Sequence, residues 1–146
     1  MDRFKFRAWS VHYECMFYSD EQSEDGWFEF NGMGILSANG VFGETPGDQF
    51  NPPESNVEEY DVVMQCTGLK DKNGVLIYEK DILSHTRCDE YETSTTLWNV
   101  IFNEDRACFN LVGGIDNYNI LPATKGRCMD FEIIGNIYEN PELLEA

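Results

Sequence analysis

Cations are what this sequence has least of. Ten lysines and arginines stand against 27 aspartates and glutamates in 146 residues, a formal net charge of −17. Binding to nucleic acid without regard to sequence depends on Lys and Arg displacing phosphate counterions, so direct DNA or RNA binding is the partner class this composition argues against most strongly. A basic protein partner is favoured instead, mainly through encounter rate. Long apolar runs are also missing. The N-terminus MDRFKFRAWS carries charges at alternate positions and has no apolar core of signal-peptide length, and no segment reaches the length needed to span a bilayer. Histidine is limited to His12 and His85, and five cysteines (Cys15, Cys66, Cys88, Cys108, Cys128) are widely spread and odd in number. A secreted disulfide scaffold is denser and even, so the expected home is the cytoplasm of a cell, with the thiols reduced and no membrane association. No nucleophile motif, phosphate loop or strong metal motif is present, so no cofactor and no reaction are expected.

What is present is β-sheet chemistry. The apolar fraction of 42% and aromatic fraction of 14% are enough for one domain with a buried core. The stretch Val62 to Leu83 sets two apolar segments around Asp71-Lys72-Asn73-Gly74, where Asn and Gly tolerate the positive φ of a tight reversal, so it reads as a β-hairpin. Glu79-Lys80-Asp81 is a polar step that ends one strand before Ile82 begins another. Arg3 to Trp9 alternates Phe4, Phe6 and Ala8 with Arg3, Lys5 and Arg7, the period of a half-buried strand whose basic side lies against acids of its own fold. After a reversal at Val11 to Glu14, Cys15 to Tyr18 returns as a second strand, and Ser19 to Asp25 is an acidic loop.

Further strands are expected at Gly26–Phe30, Ile82–His85, Thr95–Phe102, Ala107–Val112 and Phe131–Tyr138, with a short apolar follow-on at Met33–Leu36. Ser37 to Tyr60, broken by Asn39-Gly40, Pro46-Gly47 and Pro52-Pro53, reads as a long loop. Thr86 to Ser94 reads as a polar connection, Gly113-Gly114 as a strand break, and Ile115 to Leu121 fits neither strand nor loop cleanly. Gly135 marks a bulge or a close backbone approach. Asn140-Pro141-Glu142 starts a short terminal helix, with Asn as cap and Pro in the first turn. The sum is a mainly β chain: an N-terminal β-hairpin and sheet extension with a long loop over 1–60, a small SH3-type barrel over 61–138, and a helical tail over 139–146.

Three segments carry a resemblance to a known family. Lys5-Phe6-Arg7-Ala8-Trp9, the run from Met64 through Gly74 followed by Ile77-Tyr78-Glu79-Lys80-Asp81-Ile82, and Ile134 through Leu144 match, in order, the pattern of the YopX family of phage and prophage proteins. Two departures stand out: Lys80 occupies a position where the family has Gly, and the stretch before Met64 is expanded and acidic. The resemblance implies a mainly β protein with an SH3-type barrel, self-associating, encoded by a bacteriophage or an integrated element. It implies a bacterial host cell as the place where the protein works, and no activity.

Three groups of side chains are candidates for chemistry. His12 with Cys15 and His85 with Cys88 form two His-x-x-Cys steps offering the two nitrogens and two sulfurs of a tetrahedral zinc site, although sites legible from sequence show closer Cys pairs and incidental loop residues are the commoner explanation. Glu79, Asp81, Asp89, Glu90 and Glu92 offer acid-base groups or magnesium ligands, but in so acidic a chain some cluster arises by chance, and Glu79 and Asp81 are better placed to bond turn amides. Trp9, Trp27, Trp98, Tyr78 and Tyr138 are core residues by default, with a peptide groove as the functional alternative. The reading these weigh out to is a non-catalytic binding or accessory protein, homo-oligomeric or directed at a basic host protein as an acidic decoy. Its rivals are an oligomeric assembly protein and a metal-dependent enzyme.

Overall fold

The computed structural model describes residues 5–10, 14–20, 26–30, 36–40, 62–114 and 119–145. Eleven strands, one short α-helix and a 3-10 turn are found among them, so the chain is mainly β. Two compact units divide it, Lys5–Met64 and Gln65–Ala146.

In the first unit, β1 (Phe6–Ser10) and β2 (Cys15–Tyr18) form an antiparallel hairpin with Arg7 opposite Tyr18 and Ser10 opposite Cys15. Its open end is tied by Phe6 and Ser19, whose backbone N–H groups donate to the Ser19 hydroxyl and the Phe6 carbonyl, both at 2.9 Å. The expected contact of the basic face with the fold's own acids is present at Lys5, which pairs with Asp20 at 2.6 Å. Half-burial is not: Arg7 is only 3% exposed and its neighbour Ala8 is fully buried, so both faces of β1 are covered. The second hairpin joins β3 (Gly26–Phe30) to β4 (Leu36–Gly40), with Trp27 opposite Asn39 and Gly26 opposite Gly40. This corrects the loop expected from Ser37. Asn39-Gly40 carries turn chemistry, but a partner strand supplies ladder bonds that outweigh a local preference. The rest of that expected loop, and Met33, lie outside the described residues.

The second unit is built on β5 (Val62–Lys70), which enters it from the first, β6 (Leu76–Tyr78), β7 (Asp81–Cys88), β8 (Thr93–Asn103), β9 (Cys108–Gly113), β10 (Asn119–Pro122) and β11 (Glu132–Asn136). Strands β7 to β10 meander, and β11 closes onto the outer side of β7, giving the antiparallel order β10-β9-β8-β7-β11. On one face Leu83 lies opposite Trp98, Val100 opposite Leu111, and Leu111 opposite Leu121. With Ile77, Cys128 and Phe131 these side chains make the core, and Trp98 meets Phe131 edge-on at 6.0 Å. Ile82 and Asn110, on the opposite face, are buried as well, so the middle of this sheet is closed on both sides.

Turn chemistry is observed where it was expected. The Asp71 N–H donates to the Val75 carbonyl at 2.9 Å and Gly74 takes φ +82°, closing the β5–β6 hairpin. Strand β9 ends where Gly113-Gly114 was expected to end it: Gly113 is its last residue, paired to Trp98 on one side and Asn119 on the other, and Gly114 lies beyond it. One expectation needs correcting, at Asn140, and one helix was not foreseen. The sequence between β10 and β11 forms a four-residue helix, α1 (Lys125–Cys128), capped by the Thr124 hydroxyl. Asn140 does not cap the terminal 3-10 turn (Pro141–Leu144) with its side chain; its Oδ1 accepts from the Asn136 N–H at 3.4 Å instead.

Candidate functional site

The residues that give the sequence its most recognisable pattern are committed to backbone contacts. Asp71 is 4% exposed, and its carboxylate accepts from three backbone N–H groups: Asn73 and Val75 at 2.9 Å through Oδ1, and Ile133 at 3.1 Å through Oδ2. The next N–H, of Lys72, donates to the Phe131 carbonyl at 2.8 Å, while Lys72 Nζ pairs with Glu132 at 2.6 Å. The central turn and the start of β11, far apart in sequence, are thus one clasp. Hydrogen bonds from Lys72 and Asn73 hold Glu132 below its ordinary pKa, the lysine being the larger cause.

The polar step Glu79-Lys80-Asp81 is likewise structural. Asp81, 1% exposed, accepts the Tyr78 N–H at 2.7 Å, as turn bonding predicts. The Glu79 N–H donates to the Gln65 carbonyl, the Lys80 N–H to Val100, and the Lys80 carbonyl accepts from Ile137. Lys80 takes φ +67° to make both of its bonds, so its backbone needs the conformation that glycine adopts without strain. Replacing Lys80 by glycine is expected to stabilise the fold by about 0.5–1 kcal/mol, because relief of the left-handed strain exceeds the added unfolded-state entropy. A thermal midpoint raised by about 2–4 °C would show it; an unchanged or lower midpoint would mean that the Lys80 side chain contributes more than its backbone costs.

At the C-terminal end, Asn136 Oδ1 accepts from the Tyr138 and Glu139 N–H groups at 3.1 and 3.0 Å. The ladder between β11 and β7 shifts register between Ile133 and Gly135. A Cβ on Gly135 would lie 2.3 Å from Asn140 Oδ1, so both readings of that glycine, bulge and close approach, hold.

Within β7 the candidate reagents point apart. His85 and Cys88 share β7, and its ladder with β8 is regular from Ile82 to Cys88; residues three apart in such a strand face opposite sides. His85 stacks on Phe131 at 4.7 Å, whereas Cys88 is exposed with its Sγ accepting from the Thr93 hydroxyl at 3.6 Å. Cys15 sits half-buried in β2, and His12 lies outside the described residues. Among the described residues no three His, Cys, Asp or Glu side chains form a group able to hold a metal ion.

The carboxylates fall into two groups, Glu79 with Asp81 at the start of β7 and Asp89, Glu90 and Glu92 past its far end. Asp81 opens β7 and Asp89 follows its end, and eight residues of strand put them roughly 26 Å apart. A carboxyl group that is to act as a general acid calls for a raised pKa. Asp20, Asp89 and Glu132 are instead held below the ordinary carboxylate range. Cys128 is raised by its burial in the core. Of the aromatics, Trp98 and Tyr78 are buried, Trp9 and Tyr138 half-buried, and Trp98 Nε1 donates to the Thr96 hydroxyl at 2.9 Å. The side chain of Trp27 lies outside the described residues.

What sequence reasoning missed is a ribbon. Thr86 to Ser94, expected as a connection, is largely strand: β7 continues to Cys88, β8 begins at Thr93, and their register holds to the Cys88–Thr93 pair. Its β-branched threonines were the available signal; Thr86 and Thr95 hydroxyls meet across the pair at 3.0 Å. At the tip, Asp89 Oδ1 accepts from the Tyr91 and Glu92 N–H groups at 3.0 and 2.8 Å, and the Asp89 N–H donates to the Glu92 carbonyl at 3.0 Å. Those two amides, Tyr91 first, hold the Asp89 carboxyl below its ordinary value of 3.8. A depressed folded-state pKa contributes order that is present above the unfolded value and lost as pH falls through the folded one. The Tyr91 and Glu92 amide resonances are therefore expected to move together with a midpoint below 3.8, in an NMR titration of the tip; a midpoint at or above that value would rule the two bonds out.

These features place the chain among known proteins. It resembles protein EF1440 of Enterococcus faecalis, whose crystal structure superposes with a TM-score of 0.56 at 29% identity over 96% of each chain. It shares its fold with protein yopX of Bacillus subtilis, at a TM-score of 0.62 and 20% identity over 99% of this chain and 98% of that one. No curated protein matches it. The family described as YopX protein matches residues 5–145, nearly the whole chain, and this protein belongs to the YopX family.

Proposed function

We propose that this chain acts by binding rather than by catalysis, as an acidic accessory protein of a bacteriophage or prophage working in the cytoplasm of a bacterial host. The observation that carries this reading is the net charge of −17. The motif residues give it room: the Asp71 clasp, the Lys80 turn and the Asn136 turn are spent on backbone bonds, which leaves the acidic surface as the means of acting. Within this reading, residues 61–138 form an SH3-type barrel, supported by the meander β7 to β10 and the closing pair of β11 with β7, with residues 1–60 as a β extension and 139–146 as a short tail. The favoured partner is a basic host protein whose DNA site the chain occupies as a decoy. Among the described residues no helix is long and apolar enough to cross a membrane.

Competition tests the decoy directly. Purified protein added to a bacterial extract at low salt is expected to displace at least one basic DNA-binding protein from immobilised duplex DNA, with the effect fading as salt screens the charges. Failure to displace any such protein at low salt would reject it. Homo-oligomeric assembly is the second reading. It gains little from the sheet edge at β11, which the Asp71 clasp covers at Ile133 and a bulge distorts, both devices that blunt strand addition. Light scattering on the eluting protein decides its oligomeric state.

A further inference from the structure

The β7–β8 ribbon extends past its neighbours. β11 pairs with β7 only as far as Ser84, and β9 pairs with β8 only from Trp98 onward. From His85 to Leu97 the chain is therefore two-stranded among the described residues, and four residues of strand from Ser84 to Cys88 carry it about 13 Å beyond the sheet. An isolated hairpin is marginal in water. This one is rooted by Leu83 and Trp98, both in the core, and its cross-strand register runs unbroken to the last pair. Thr86, Arg87, Cys88, Thr93 and Thr95 are all exposed.

At the end of this arm stands Tyr91, 94% exposed, whereas Tyr78 in the body of the fold is 5% exposed. The protein thus holds an aromatic side chain away from its own surface on a fixed support. Around it the sequence Arg87-Cys88-Asp89-Glu90-Tyr91-Glu92 sets one cation against three carboxylates. Asp89 is occupied by the tip's own amides, which leaves Glu90 and Glu92, both exposed, on either side of the tyrosine.

We propose that the β7–β8 ribbon is a docking arm, and that Tyr91 with Glu90 and Glu92 seats in an apolar slot rimmed by arginine or lysine on a partner protein. Charge complementarity selects that occupant. Nucleic acid is repelled by the same carboxylates, and a second copy of this chain brings another net −17 to the contact. Tyrosine is among the residues most often found at the energetic centre of interfaces, since its ring buries a large apolar area while its hydroxyl stays solvated. The proposal rests on the binding reading above and gives it an address on the surface.

The test is an NMR titration of the full chain, labelled with ¹⁵N, using a short synthetic peptide that alternates arginine with leucine as the probe. Amide shifts are expected to concentrate at residues 88–93 and to persist in part at high salt, because the apolar contact of Tyr91 is not screened. Tyr91→Ala, at a position too exposed to affect folding, is expected to weaken the probe about 10-fold or more, and Glu90→Gln with Glu92→Gln to remove mainly the salt-dependent part. Shifts spread evenly over the acidic surface, vanishing with salt and indifferent to Tyr91→Ala, would overturn the arm while leaving the acidic-surface reading in place. No shift at all at low salt would overturn both.

Discussion

Alanine at Gly113 is expected to destabilise the protein by about 3 kcal/mol, near the upper end of what overpacking costs. A Cβ there would lie 2.1 Å from the Leu97 carbonyl oxygen and 2.9 Å from the Trp98 Cα. Both obstacles are backbone, in a strand paired on each side, so neither can rotate away as a side-chain tip would. Relief requires β8 and β9 to separate at the Trp98–Gly113 pair, which draws Trp98 off Phe131 and undoes the Gly114 N–H bond to the Leu97 carbonyl. Gly74→Ala is the control. That glycine has φ +82° and nothing within 4 Å of where an added methyl would sit, so the substitution carries only left-handed strain, about 1–2 kcal/mol. Urea unfolding of both variants separates the two effects; a Gly113→Ala loss no larger than that of Gly74→Ala would mean that the strands are not packed at the distance described.

The contrast between these glycines also shows which parts of the molecule are legible in its residues. Gly74 belongs to a local pattern, Asp-Lys-Asn-Gly, whose meaning depends on φ preferences alone, and so it is readable without a fold. Gly135 is readable because a glycine amid β-formers has few other uses. Gly113 reads as a strand end, and β9 does end there; what its sequence does not show is the close approach of Leu97 and Trp98, which lie elsewhere in sequence. The same reason hides the ribbon. Alternation reveals a strand only when one face is buried, and Thr86 to Cys88 and Thr93 and Thr95 are exposed, so their polarity resembles that of a loop. The helix at Lys125–Cys128 is barely one turn, too short for any 3.6-residue period to show.

The groupings of candidate residues within β7 are misread for a related reason. A His-x-x-Cys step is a chelating spacing on a helix or in a loop, and Glu79, Asp81 and Asp89 make a cluster only if the chain between them folds back. Once β7 runs straight from Asp81 to Cys88, His85 and Cys88 face apart, and Glu79 with Asp81 stand at the opposite end from Asp89, Glu90 and Glu92. The property that survives intact, net charge, is the one that needs no geometry at all. Among the described residues the most exposed aromatic side chain, Tyr91, stands beside carboxylates at the β7–β8 tip.

The second large effect is expected at Asp71. Removing its carboxylate with Asp71→Ala leaves the N–H groups of Asn73, Val75 and Ile133 without their acceptor in a position only 4% exposed. Each hydrogen bond to a charged group contributes about 1.5–3 kcal/mol, but the three share one side chain and their losses do not add, so a total of about 3–4 kcal/mol is expected. Asp71→Asn keeps one oxygen and presents an NH₂ to donors on the other side, and is expected to cost about 2 kcal/mol. Hydrogen exchange locates the damage: the Ile133 amide is expected to lose protection far more than that of Leu111, because β11 is the strand this carboxylate holds. Equal loss at both amides would mean that Asp71 supports the sheet generally rather than clasping its edge. The natural comparison is with Tyr91→Ala, which is expected to leave stability unchanged and weaken binding. Opposite outcomes at the two positions would divide the molecule physically, into a turn whose acid is consumed by the fold and a tip whose aromatic is not.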